Sequence, residues 1–312
     1  MDIVLYILLF CIGTVFGSFF TLAVSRIPIG QDITHERSYC PNCNHKLSFL
    51  DMIPIFSYIF LGGKCRYCKQ KIRIRYLILE VFSGIVFVLF ATSIKFSMYN
   101  LSVNNMTYLI FGLLYISTLF IIAGIDKEKI RIEKSVLLFG YILATAYIIY
   151  LYIVEQDTSI YRYVIYLFVV LILMLIDILY LRKKIKDSYP IEVLLLSILM
   201  IAFTYELQYA ITVTMTLLII AFVLIFFKIK NRKAKSIKTT KKQEIKLPIG
   251  FYMCVSNIII LLATNFAIFY RWYDEKNFKF KNKIRKWFYN ARLDNCVYNF
   301  YYICGFNWNF NV

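Results

Sequence analysis

Long apolar runs recur along this chain, and they constrain its fold more than anything else in the sequence. Eight segments, at 3–24, 76–94, 106–125, 135–154, 161–181, 190–207, 209–227 and 247–269, each approach the length of about 20 residues that a helix needs to cross a bilayer core. Strands and core helices of soluble domains need no run that long. Composition agrees, with 60% of the 312 residues hydrophobic and 17% charged, where soluble domains have about 45–50% and about 25%. The expected fold class is all-α: a polytopic membrane protein of about eight transmembrane helices. Scattered Ser, Thr and Gly within the runs suit close helix–helix packing.

The chain is basic, with 36 Lys and Arg against 18 Asp and Glu. Those charges are not spread evenly. The intervals 26–75, 127–134, 182–186 and 228–246 are basic, whereas 95–105, 155–160 and the turn at Glu206 are nearly free of basic residues. The two sets alternate, as loops on opposite sides of a membrane do when Lys and Arg stay inside. This predicts an outside N-terminus, a cytoplasmic interval at 26–75, and multiple passes through a membrane. The interval 228–246 carries nine Lys or Arg and one Glu. Its expected partner is the anionic headgroup layer of the bilayer. Nucleic acid is not an expected partner, because no aromatic residues interleave there to stack bases. Three parts follow: an N-terminal region at 1–94, a membrane domain at 95–270, and a tail at 271–312 that is basic, then rich in Asn, Tyr and Phe, without helical or strand period.

The one long polar interval in the first half holds Cys40 and Cys43, then Cys65 and Cys68, two Cys-x-x-Cys pairs separated by 21 residues. Each pair is expected on a tight knuckle that points two thiolates at one tetrahedral Zn²⁺. A reducing cytoplasm disfavours disulfides between them. Four thiolates leave no open position for water, so such a zinc is structural, and it supplies folding free energy to a loop with little core of its own. His35 and His45 lie near, but four cysteines suffice; His45 reads as a solvated loop residue. The remaining cysteines, Cys11, Cys254, Cys296 and Cys304, show no ligand spacing.

Acids at the cytoplasmic ends of membrane helices are functional candidates by default. Asp126, at the end of the third apolar segment, is the foremost of them. Around the cysteines, meanwhile, Gly17, Ser18, Phe19 and Phe20, then Arg26, Ile27 and Pro28, then Asp51, Ile53, Pro54, Ser57 and Tyr58, then Gly63 and Lys64, Arg75, Tyr76 and Glu80 form a dense pattern. It resembles the N-terminal region of the bacterial prepilin peptidases (type IV leader peptidases). That resemblance implies a membrane-embedded aspartyl peptidase that removes the leader of type IV prepilin or pseudopilin precursors at the cytoplasmic face. Many such proteins also methylate the new N-terminus with S-adenosylmethionine, although Thr21 stands where Asn is usual and no glycine-rich loop for that cofactor is evident.

An aspartyl protease uses two close carboxylates that cannot both ionise, one acting as base on water and the other, protonated, polarising the scissile carbonyl. The resemblance places the first at Asp126, followed by Ile132, where Glu133 and Lys134 replace the usual Pro and Asp or Asn. It places the second at Glu192, where the family has Asp; both glycines of that motif are missing and Leu194 replaces its lysine. Asp177, in the fifth segment, is the alternative second acid. Pro248, Gly250 and Phe251 resemble a Pro-Phe-Gly-Pro-Phe element at the start of the last helix and support the Glu192 register. A relative without catalysis, binding pilin-like helices as an assembly or scaffold factor, is the rival reading. A transporter fits less well, since no paired interrupted helices or internal repeat are evident.

Overall fold

This computed structural model describes residues 2–99, 101–155, 168, 172, 175, 189–203, 206–234 and 247–266. All but Asn265 and Phe266 of these belong to one unit, Met1–Thr264. The described residues hold helices and turns and no strand. Helix α1 spans Asp2–Arg26 and runs into a 3₁₀ turn at Ile27–Ile29. A second 3₁₀ turn at Phe49–Met52 and the short α2 at Phe56–Phe60 lie in the cysteine interval. Then come α3 at Arg75–Ser93, α4 at Val103–Lys129, α5 at Lys134–Tyr150 with a π-turn at Leu151–Glu155, α6 at Tyr189–Phe203, α7 at Glu206–Ala234 and α8 at Ile249–Phe266.

Five of these, the stretches Asp2–Ile29, Arg75–Ser93, Val103–Lys129, Lys134–Ile153 and Ile249–Phe266, are long and apolar enough to cross a membrane. Two shorter apolar helices, Ile191–Phe203 and Ala210–Ile225, fall on the sixth and seventh expected segments. The fifth expected segment, with Asp177, lies outside the described residues apart from Phe168, Ile172 and Leu175, as does the tail at 271–312. The chain is a multi-pass membrane protein.

Two boundaries differ from the sequence reading. The third apolar segment was expected to stop at 125, but α4 continues through Lys129, so Asp126 sits inside its last turn. The basic residues Lys127 and Lys129 do not break the helix, because positive charge at a helix C-terminus is favourable. Ile130, at a φ of 52°, then ends it by donating its N–H to the Asp126 carbonyl at 2.8 Å. Likewise α7 carries the start of the expected 228–246 loop as helix, through Ala234; Lys and Arg are good helix formers.

Close approach of small residues joins α1 to α3. A Cβ at Gly13 would fall 2.7 Å from the Gly84 Cα, and one at Gly17 would fall 2.1 Å from the Ser83 Oγ. The Ser83 hydroxyl donates to the Gly13 carbonyl at 2.7 Å. In lipid, where apolar burial between helices gains little, such van der Waals contact and interhelical hydrogen bonding drive association. Phe20 of α1 stacks on Phe120 of α4 with centroids 5.4 Å apart. Tyr115 of α4 donates to the Asn257 side-chain carbonyl of α8 at 2.7 Å, and the Asn257 amide donates to the Thr212 hydroxyl of α7 at 3.3 Å. The Tyr141 hydroxyl of α5 donates to the Leu195 carbonyl of α6. Phe20, Phe87, Phe90, Ile116 and Leu119 are fully buried between the helices, while Ile3, Val4, Ile7 and Leu8 of α1 face outward.

Candidate active site and four-cysteine centre

Two hairpin-like knuckles carry the cysteines, and they are built alike. In the first, Cys40 donates its N–H to the His45 carbonyl at 3.0 Å, Asn44 donates to the Cys40 carbonyl at 2.8 Å, and Tyr39 bridges Lys46. In the second, Cys65 donates to the Gln70 carbonyl at 2.9 Å, Lys69 donates to the Cys65 carbonyl at 3.0 Å, and Lys64 bridges Lys71. The residue after each second cysteine, Asn44 or Lys69, has a left-handed backbone with φ of 55° or 59°, which turns the chain back within one knuckle. All four Sγ atoms lie within 4.8 Å of one another, and those of Cys40 and Cys68 are 3.9 Å apart. A tetrahedral zinc with bonds of about 2.3 Å needs sulfurs about 3.8 Å apart, so the donor set fits a metal ion.

The electrostatics of the four thiols also suit a cation. Hydrogen bonds from the Gln70 N–H and the Asn42 side-chain amide pull the Cys68 thiol down to about 6. The His45 N–H lowers Cys43 too, but desolvation and the neighbouring Cys40 and Cys68 thiols outweigh it and push that thiol up to about 11. Four such close groups cannot all ionise without a positive charge between them. His45 is no ligand: its ring lies on Tyr67, with centroids 3.6 Å apart. His35 pairs with Asp32 at 2.8 Å. Asp51 binds the second knuckle to the turn before α2. Its carboxylate accepts from the Ser48 N–H and hydroxyl at 3.1 and 2.7 Å and from the Arg66 Nε at 2.6 Å.

The carboxylates meet elsewhere. Asp126, in the last turn of α4, is 0% exposed, and Glu192, in the first turn of α6, is 4% exposed. The Asp126 Oδ2 accepts from the Tyr189 hydroxyl at 3.0 Å and from the Phe251 N–H at 2.8 Å. The Tyr189 hydroxyl accepts in turn from the Gly250 N–H at 3.2 Å. The N-terminus of α8 thus directs two backbone donors at the pair, the usual way a helix start holds negative charge. A Cβ on Gly250 would stand 3.1 Å from the Asp126 Oδ2 and 3.0 Å from the Ile132 Cδ1, so a larger residue there would push these groups by a few tenths of an ångström. The Glu192 Oε2 accepts from the Ile132 N–H at 3.2 Å, beyond the end of α4. The two carboxylates are within electrostatic reach of each other. The Asp126 Oδ1 is buried and takes no hydrogen bond; an unpartnered carboxylate oxygen away from bulk water is costly.

Asp126 and Glu192, picked out in the sequence, therefore lie in one buried cluster, and Asp177 is outside the described residues. Sequence reading missed Tyr189 and the N–H groups of Gly250, Phe251 and Ile132. A tyrosine three residues before Glu192 falls one turn away on a helix, which is the only signal it gave.

The family model of the Bacterial Peptidase A24 N-terminal domain matches residues 11–94. The chain is 37% identical over 81 residues to a prepilin leader peptidase/N-methyltransferase of Myxococcus xanthus, covering 26% of this chain and 24% of that one. It is 37% identical over 89 residues to the protein of that name from Vibrio cholerae (26% and 35% covered), and 33% identical over 132 residues to that from Bacillus subtilis (42% and 50%). The chain thus spans half or less of the length of these relatives. No solved structure matches it. The matched interval takes in most of α1, both cysteine knuckles and α3, and over it the chain is similar to the prepilin leader peptidases.

Proposed function

We propose that this protein is a membrane-embedded aspartic endopeptidase that removes the leader peptide of type IV prepilin-like precursors, with Asp126 and Glu192 as its acid pair. One observation carries the reading: two buried carboxylates from distant parts of the chain share a cluster in which the Asp126 Oδ1 is unpartnered while Oδ2 is doubly bonded. A buried carboxylate oxygen without a partner is open to a water or a substrate group. With Oδ2 held by Tyr189 and Phe251, Oδ1 is the oxygen left to hold the attacking water and take its proton. Glu192, protonated, donates to the scissile carbonyl to give a gem-diol; as the C–N bond breaks, Asp126 passes the proton it took from water to the leaving amine and Glu192 takes one back from a gem-diol hydroxyl. The stem of Glu192 is one methylene longer than that of Asp, and its bond to the Ile132 N–H fixes where that longer stem ends.

Zinc held by Cys40, Cys43, Cys65 and Cys68 staples the two knuckles of the interval between α1 and α3. The positive-inside pattern supports a cytoplasmic position for this interval, the acid pair and the basic stretches, and similarity to the bacterial relatives supports the inner membrane as the site. Methyl transfer from S-adenosylmethionine to the new N-terminus comes into consideration through the relatives' names alone.

Leader removal from a co-expressed prepilin tests the reading. Wild type is expected to shorten the precursor, and Asp126→Ala and Glu192→Ala are expected to leave it full length. Processing that survives both substitutions rejects the pair. No processing by wild type, together with retention of the precursor on the purified protein, favours the scaffold, a role consistent with the replaced glycines around Glu192.

A further inference from the structure

The segment between the two knuckles has an unusual surface for a loop. Phe56 is 60% exposed, Ile59 60% and Phe60 84%, and all three belong to α2, with Phe56 and Phe60 stacked 6.4 Å apart. Phe49 and Leu50, 75% and 61% exposed, continue this surface on the preceding turn. Exposed large apolar residues grouped in this way mark an interaction surface.

What meets that surface follows from its depth. Ile55, the residue before α2, donates its N–H to the Glu80 Oε2 at 2.8 Å. Glu80 is the sixth residue of α3, about 8 Å along the axis from Arg75 at 1.5 Å per residue. At 19 residues, α3 is about 28 Å long, which a hydrocarbon core of about 30 Å takes up almost entirely. On the other side, a Cβ at Gly17 would lie 2.8 Å from the Glu80 Cα, and Gly17 is nine residues before Arg26, about 13 Å from the end of α1. The Ser18 hydroxyl also donates to the Glu80 carboxylate. Both helices therefore place Glu80, and with it Ile55, inside the membrane rather than beyond it.

Much of the backbone there is satisfied within the protein, as lipid demands. Irregular chain at membrane depth persists only where its polar groups are satisfied within the protein. The N–H of Ile55 goes to Glu80, that of Phe56 to the Pro54 carbonyl, Ser57 to Ile53, Ile59 to Ile55, Leu61 to Ser57, Gly62 to Ile59 and Gly63 to Tyr58. Ile55 holds a positive φ of 64° in doing so.

We infer that α2 is a re-entrant lipid anchor: it turns back into the bilayer leaflet beside the ends of α1 and α3, with Phe56, Ile59 and Phe60 against acyl chains. The occupant of this surface is the bilayer that α1 and α3 already cross. The anchor pins the cysteine knuckles to the membrane surface from a point between them, independently of any peptidase activity.

Depth-resolved fluorescence quenching tests it on the full chain. Phe60→Trp is made with Trp272, Trp287 and Trp308 changed to Phe, and the protein is reconstituted in vesicles of phosphatidylcholine with or without bromine on the acyl chains. An interfacial helix buries its apolar face about 5–10 Å into the boundary, so the emission is expected to fall about twofold in the brominated vesicles. Arg37→Trp, in the exposed part of the same interval, is expected to be unaffected by bromine and quenched by aqueous iodide. Phe60→Trp emission that bromine leaves unchanged overturns the anchor, whether iodide reaches it (a solvated loop) or does not (a surface covered by protein). Phe56→Trp provides a second reporter if the first variant does not elute as wild type.

Discussion

The cysteine centre and the carboxylate cluster are built in opposite ways. The first is local: residues 39–71 supply both knuckles, each closed by its own backbone hydrogen bonds, and the partners of Asp51 lie within the same interval. The second is gathered from the end of α4, the start of α6 and the start of α8, and its bonds cross 60 to 125 residues of sequence. A local centre can be written as a motif, because spacing alone fixes the geometry. A distributed one cannot, because each contributor needs only to arrive at the right helix end. Drift in the residues around Glu192 is compatible with a kept site as long as the helix ends still meet.

The largest effect expected from breaking this contrast is at the local centre. Structural zinc contributes an apparent 10–16 kcal/mol or so in zinc-finger peptides, and the interval has little apolar core to replace it. Cys65→Ser, at the most buried of the four positions, is expected to reduce bound zinc from one equivalent to near zero. It is also expected to open Arg66, Lys69 and Lys71 to trypsin while α3 to α5 stay protected. Stoichiometric zinc in that variant rejects the four-cysteine site.

Next comes the distributed site. Asp126→Asn keeps the shape of the side chain and its contacts with Tyr189 and Phe251, but removes the charge that takes a proton. Positioned acid–base groups contribute about a hundred- to ten-thousand-fold in rate, and a loss of that size is expected in prepilin processing, with zinc content unchanged. Independence of the two centres is what this measures: Cys65→Ser should abolish zinc without altering the acids, and Asp126→Asn the reverse.

Tyr189→Phe is a finer probe of the same cluster. It deletes one hydrogen bond to a carboxylate, worth about 1.5–3 kcal/mol, and leaves the Gly250 N–H without its acceptor. If Tyr189 positions Asp126, kcat falls tenfold or more and KM hardly moves. An unchanged kcat shows that the hydroxyl only fills space.

How much of this was readable in advance follows the same division. The four cysteines and the apolar runs are patterns of residue type at fixed spacing, and both translate directly into structure. Asp126 was visible because a carboxylate at the end of an apolar run is costly unless used. Its exact place was not: charged residues 127 and 129 looked like loop, yet a helix C-terminus welcomes them, and α4 runs on. Tyr189 was hidden, because a tyrosine in an aromatic-rich chain carries no signal until the fold brings its hydroxyl to a buried oxygen. The Gly250 and Phe251 donors are backbone groups, which no side-chain pattern can announce. The lipid-facing side of α2 was hidden as well, since a five-residue helix has no periodicity to read.

The smallest expected effect returns to the local centre and concerns pH. Burial works against the charge of Asp51, but the hydrogen bonds from Ser48 and the Arg66 guanidinium outweigh it and hold the carboxyl below the usual carboxylate range. Tyr67 is the other titratable group that faces it, with its hydroxyl 3.4 Å from Oδ2. A depressed carboxyl stabilises the fold above the pKa of the unfolded chain, about 4, and that contribution disappears as pH falls through the lower folded value. Arg66 is 47% exposed, so solvent screening keeps its share within about 1 kcal/mol. Protection of the knuckles from an acid-active protease should therefore begin to decline near the unfolded carboxyl pKa of about 4 and go on declining as pH falls through the lower folded value. Asp51→Asn should lower protection at pH 6 and flatten that decline. Zinc release also follows protons, through the thiolates, so the comparison is made at saturating zinc. A decline of equal steepness in Asp51→Asn would assign the acid sensitivity to the cysteines and leave Asp51 as a neutral spacer between the knuckle and the turn before α2.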